Sequence, residues 1–235
     1  PQRSFTMADM RYATSNSTTT RISESSYKVL RQTYMLLSMT LLWSAACAGL
    51  AFALQPPPIF MWACFIPALI IAFTMRKWAN SPSAIAWVFG FTGLMGASLG
   101  PMLSMVIGGM PNGGWLVMQS LALTAGIFFI ASGYVLTTKK DLTFMGGFLM
   151  TGLLVVIGSM IAAWIASFFG VEIAGLQLAL SAACVLLFSM FLLYDTSNII
   201  QGHETNYVVA TVSLYLNLFN LFVNLLHLLG FANDD

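Results

Sequence analysis

The chain has 235 residues, 58 % of them hydrophobic and only 7 % charged, with nine Lys and Arg against eight Asp and Glu. An average soluble domain is about a quarter charged, so these few charges cannot coat a soluble fold, and the chain reads as an all-α polytopic membrane protein. Near-neutral balance, with no basic block and no interleaving of basic and aromatic residues, excludes nucleic acid as a partner.

Taken in order, residues 1–6 (PQRSFT) read as a cloning remnant, with Met7 or Met10 as the natural start. Residues 1–30 are rich in Ser and Thr, as in ATSNSTTTRISESS. They predict a flexible tail, helical at most near Tyr27. No cleavable signal peptide is expected, because the first apolar run starts behind this polar stretch and is too long for a signal core. Apolar runs follow at 32–54, 58–75, 83–107, 115–136, 142–168, 173–194 and 208–230. They predict seven spanning helices over 31–230, and residues 231–235 form a short external C-terminus. Helix is required because lipid cannot satisfy an open strand edge.

The links carry turn chemistry: QPPP at 55–58, KWANSPS at 77–83, GGMPNGG at 108–114, TTKKD at 137–141, FFGVE at 168–172 and QGHETN at 201–206. Short links predict an up-and-down bundle. Arg3, Arg11, Arg21, Lys28 and Arg31 precede the first span, Arg76 and Lys77 follow the second, and Lys139 and Lys140 follow the fourth. Seven spans put every cation on one side, which the positive-inside rule makes cytoplasmic. The N-terminus is then cytoplasmic and the C-terminus external.

Asp195, in FLLYDTSNII, ends the sixth apolar run. An acid at a helix C-terminus opposes the helix dipole, and an acid inside a span points either to a polar network or to function. The seventh run, SLYLNLFNLFVNLLHLLG, carries Asn217, Asn220, Asn224 and His227. Their spacing makes one stripe on a helix. A stripe facing lipid would waste hydrogen-bonding groups, so the last helix is expected to be central. Two readings stay open: amides bonding neighbouring helices, or the wall of a polar pathway with a titrating His227.

In the third run, Gly90, Gly93, Gly96 and Gly100 precede Pro101. Gly96 and Gly100 form a small-xxx-small face for close helix packing, and Pro101 predicts a kink. Gly146, Gly147 and Gly152 read the same way. Cys47, Cys64 and Cys184 lie in apolar runs without CxxC spacing and read as packing residues. His203, Glu204 and Glu172 fall in links, where they are solvated. HExxH, GxSxG and a phosphate-binding loop are absent, and the two histidines lie on opposite sides, so neither an enzyme nor a resident cofactor is expected.

Seven spans, YD closing the sixth and three stretches resemble the Bax-inhibitor (TMBIM) family, in particular its bacterial inner-membrane members. The stretches are SYKVLRQTYMLLSMTLL at 26–42, YVLTTKKDLTFMGGFLMTG at 134–152 and ETNYVVATVSLYLNLFNLFVNLL at 204–226. Some members are pH-sensitive calcium leak channels in which an acid of the sixth helix and another of the seventh share protons. Asp195 fits the first position, and would be the calcium ligand, but Asn217 occupies the second. An Asp beside an Asn lacks the coupled titration of a carboxylate pair. The bacterial branch implies a different role, modulating the ATP-dependent membrane protease FtsH while being its substrate through a cytoplasmic N-terminal tail.

Overall fold

The structure, a computed structural model, describes residues 7–170 and 175–232. Among these, seven helices are long and apolar enough to cross a membrane. They are α1 (Met7–Leu54), α2 (Ile59–Trp78), α3 (Ala84–Gly109), α4 (Gly113–Thr138), α5 (Gly146–Phe168), α6 (Leu176–Ile200) and α7 (Tyr207–Ala232), with one turn of 3₁₀ helix at Thr143–Met145 before α5. No strand occurs among the described residues. The fold class read from the sequence is therefore the one observed. Residues 1–6, Glu172 and residues 233–235 lie outside the described residues.

The first helix departs from expectation: residues 7–30, read as flexible apart from the region of Tyr27, continue the first span as helix from Met7. No Pro or Gly interrupts the chain between Met7 and Gly49. Once the apolar part has nucleated the helix, each added Ser or Thr costs at most about 0.7 kcal/mol relative to Ala. The membrane-crossing part of α1 begins at Glu24.

Short links alternate the direction of the spans, but they do not decide which helices pack together. α1 packs along α3 rather than α2, and α2 lies on the outside of α3. α5 packs on α6, while α7 runs through the middle and meets α1, α2, α3, α4 and α6. The α1–α3 seam has a local cause. A Cβ at Gly96 would collide with the Ser44 carbonyl oxygen, one at Gly100 would lie 2.5 Å from the Ala51 Cβ, and one at Gly93 would lie 2.7 Å from the Trp43 Nε1. Three glycines on one face let the backbones approach, which replaces the hydrophobic drive that lipid does not supply. α3 stays continuous through Pro101, which is buried. Gly146 packs likewise beneath the Tyr194 ring and Gly152 against Leu187, whereas Gly147 and Gly90 face open space. Cys64 and Cys184 are buried and Cys47 partly so.

At the core, the ring of Tyr215 on α7 meets Phe91 of α3 edge-on, with centroids 5.3 Å apart. Its hydroxyl pairs with Ser44 Oγ of α1 at 2.6 Å and donates to the Thr92 carbonyl at 3.3 Å. One side chain of the central helix thus joins three helices.

Candidate functional site

The charged links gather at one end of the bundle. Arg76, in the last turn of α2, lies 4.0 Å from Glu204, before α7. Asn206 caps α7 by accepting from the Val208 N–H at 2.9 Å, and its amide donates to Asn80 Oδ1 at 2.8 Å. Ser197 of α6 accepts from the Leu142 N–H at 2.9 Å and donates to the Lys140 carbonyl at 3.2 Å, and Gln201 donates to the Lys139 carbonyl. Lys139 also sits over the Tyr27 ring, 5.8 Å from its centroid. The links after α2, α4 and α6 are therefore laced together at the end that carries Lys28 and Arg31.

Asp195 lies just inside this end. α6 runs on to Ile200, so Asp195 is more than a full turn inside the helix rather than at its end, and its backbone carbonyl remains in the helical ladder. Its Oδ2 accepts from the Ser213 hydroxyl at 2.5 Å and from Asn217 Nδ2 at 2.7 Å. Ser213 and Asn217 stand one turn apart on α7, so the central helix presents two neutral donors to one carboxylate oxygen. In lipid an acid needs such partners. Sequence reasoning missed Ser213, although it lies four residues before Asn217 and extends the same stripe.

The rest of the stripe turns away from this site. At 3.6 residues per turn, Asn224 is rotated about 20° from Asn217, Asn220 about 60° and His227 about 80°. Exposure follows that order: Asn217 and Asn224 are buried, Asn220 is partly buried and His227 is exposed. The Asn220 amide donates to the Leu216 carbonyl and the Asn224 amide to the Asn220 carbonyl, both at 2.8 Å. Those donors serve their own helix. The structure thus brings Asp195 and Asn217 together and leaves Asn220, Asn224 and His227 out of the group.

A second polar layer borders Asp195. Tyr34 of α1 donates to Ser132 Oγ of α4 at 2.9 Å, and Thr211 donates to the carbonyl of Tyr207 at 2.7 Å. The neighbouring Thr196 hydroxyl is buried without a hydrogen-bond partner. No group of three or more His, Cys, Asp and Glu gathers among the described residues. Calcium takes six to eight oxygen ligands, and here one carboxylate, one hydroxyl and one amide converge. The three groups offer fewer oxygens than a calcium ion takes, and the carboxylate is the one among them that can bind a proton.

The sequence profile of a family described as "Inhibitor of apoptosis-promoting Bax1" matches residues 27–234. A Vibrio cholerae protein described as an uncharacterized membrane protein is 47 % identical over 209 residues, covering 88 % of this chain and 91 % of that one. An Escherichia coli K12 protein named "Modulator of FtsH protease YccA" is 44 % identical over 212 residues, covering 90 % of this chain and 93 % of that one. The counterpart from E. coli O6:H1, named "Inner membrane protein YccA", matches equally.

Proposed function

Because this chain belongs to the Bax-inhibitor family, we propose that it is a multi-pass protein of a bacterial inner membrane that modulates an FtsH-type membrane protease. The observation that carries this reading is the 44 % identity, through 90 % of the chain, to a protein named for that modulation. The cation-bearing end is then cytoplasmic by the positive-inside rule, and so is the N-terminus.

The N-terminal segment is the handle. α1 begins at Met7, while its membrane-crossing part begins at Glu24. Residues 7–23 are rich in Ser and Thr, which are weak helix formers, so an ATP-driven protease meets little resistance in unfolding them. The bundle beyond, tied by the α1–α3 seam, resists being pulled. A chain that offers an easy start and a hard continuation occupies the protease and slows its attack on other membrane proteins.

The test is degradation of a membrane substrate by purified FtsH in lipid, with the full chain and with a form lacking residues 7–25. Slower degradation that requires these residues is expected. Equal effects from the two forms would overturn the handle, and no effect from either would overturn modulation itself.

A second reading rests on Asp195, an acid held between α6 and the central α7. If this site passes protons or calcium, Asn217→Asp, which restores a carboxylate pair, should steepen the pH dependence of flux in vesicles. Unchanged flux across about pH 5 to 8 would count against it.

A further inference from the structure

α1 and α4 meet near the cation-bearing end and part beyond it. At the meeting point the Tyr34 ring stands edge-on to Phe128, with centroids 5.5 Å apart. Farther along, a cavity of about 640 Å³ opens between α1, α3, α4 and α7. Leu41 and Ala45 of α1, Leu99 and Leu103 of α3, Leu121 of α4 and Phe222 of α7 help to line it. Leu41, Ala45 and Leu121 are exposed, so the cavity is a groove open sideways to the hydrocarbon.

Its polar side chains are already engaged. Ser44 and Tyr215 bond to each other, Ser38 donates to the Tyr34 carbonyl, Thr124 to the Ser120 carbonyl and Tyr34 to Ser132. The hydroxyl donors are thus spent and the remaining lining is apolar, so the groove suits an apolar occupant. Size separates the apolar candidates. The lining of α1 runs from Tyr34 to Phe52, about 27 Å at 1.5 Å per residue. A helix about 10 Å across would need roughly 2,000 Å³ along that length, more than the empty space of about 1650 Å³ between the lining residues, open side included. A lipid chain is narrow enough, and one leaflet's share of a hydrocarbon core of about 30 Å fits within the groove.

The rim supplies charge. Arg31 lies one turn before Tyr34 on the lining strip of α1 and is exposed. Lys139, just after α4, sits over the ring of Tyr27, one turn before Arg31 on α1. Among the described residues the ion pair observed is Arg76 with Glu204, so Arg31 and Lys139 have no carboxylate partner there. Two cations without a carboxylate partner among the described residues, beyond the end of an apolar slot, match a phosphate above an acyl chain.

We propose that this groove binds an anionic phospholipid, with one acyl chain in the slot between α1 and α4 and the headgroup phosphate held by Arg31 and Lys139.

The test uses the full chain in phosphatidylethanolamine vesicles containing a trace of phosphatidylglycerol with a photoactivatable diazirine in its acyl chain. A parallel sample carries the same group on phosphatidylethanolamine. Labelled peptides are mapped by mass spectrometry. Labelling of 34–52 and 117–129 by the phosphatidylglycerol probe should exceed that of α2 and α5 severalfold. Ala125→Trp, which fills the groove from α4, and Ala45→Phe, which fills it from α1, should each remove the excess. Arg31→Gln with Lys139→Gln should lower phosphatidylglycerol labelling to the phosphatidylethanolamine level. Labelling spread evenly around the bundle, or indifferent to both filling variants, would show an ordinary lipid belt and overturn the site. Equal labelling by the two probes in the unaltered protein would overturn the role of the rim. Protection of 34–52 from both probes, together with a two-copy mass in native mass spectrometry, would overturn the choice of occupant.

Discussion

α7 and α5 are both apolar enough to span a membrane, yet they do opposite jobs. In α7, 67 % of the most apolar stretch is buried, against 11 % in α5. α5 is nonetheless the more hydropathic of the two, because its exposed side chains, such as Leu154, Val155 and Ile161, are strongly apolar. The central helix carries Ser213, Asn217 and Asn224, and its Tyr215 hydroxyl joins α1 and α3. In a bilayer, apolar side chains gain nothing by leaving lipid for protein, so polar and small residues mark the inside. The rule used for soluble helices is inverted.

The sharpest way to test that contrast is a matched pair of glycines. Gly96→Leu on α3 must push α1 away from the Ser44 carbonyl, and overpacking on backbone should destabilise the bundle by about 3 kcal/mol, the upper end for such changes. Gly158→Leu on α5 enters open space and should stay within about 0.5 kcal/mol of the parent. Thermal unfolding in detergent, followed by circular dichroism, reads both. Similar losses at the two positions would mean that α5 is as tightly packed as the core.

A smaller effect is expected where polar groups meet. Asn217→Leu leaves Asp195 with one of its two donors and should cost about 1 to 3 kcal/mol. Asn220→Leu removes only a bond within α7 and should cost about 0.5 kcal/mol. His227→Leu, at an exposed position, should be neutral or slightly stabilising. If His227→Leu proved the costliest of the three, the stripe would act as one unit after all.

Much of this architecture is written in the local sequence. Seven apolar runs separated by turn residues define seven helices, and amides repeating every three or four residues mark α7 as the helix that faces inward. Which helices pair is not local information. The α1–α3 seam depends on Gly93, Gly96 and Gly100 meeting Trp43, Ser44 and Ala51, and no single segment carries that match. The reach of the stripe also escaped, because spacings of three, four and three keep residues on one face yet rotate slowly around it. His227 ends up outside and Ser213 inside. The helical start of α1 is not legible in its Ser- and Thr-rich composition, which does not count the helix already propagating into it.

The smallest expected effect concerns the laced end rather than the spans. Asp141, in the link after α4, accepts from the Thr143 hydroxyl at 2.5 Å and from the Thr143 N–H at 2.9 Å. These bonds hold its carboxyl below the usual range, with His203 adding a little in the same direction. A carboxyl depressed in the folded state stabilises fully above its unfolded value of about 3.9 and loses that contribution as pH falls through the folded value. Asp141→Asn should therefore unfold slightly earlier than the parent at neutral pH, and the difference should close on acidification below about pH 4. Because this link is also gripped by Ser197 of α6 and by Gln201 just after it, a gap that persists unchanged into acid would mean that the lacing, and not the charge on Asp141, orders the turn.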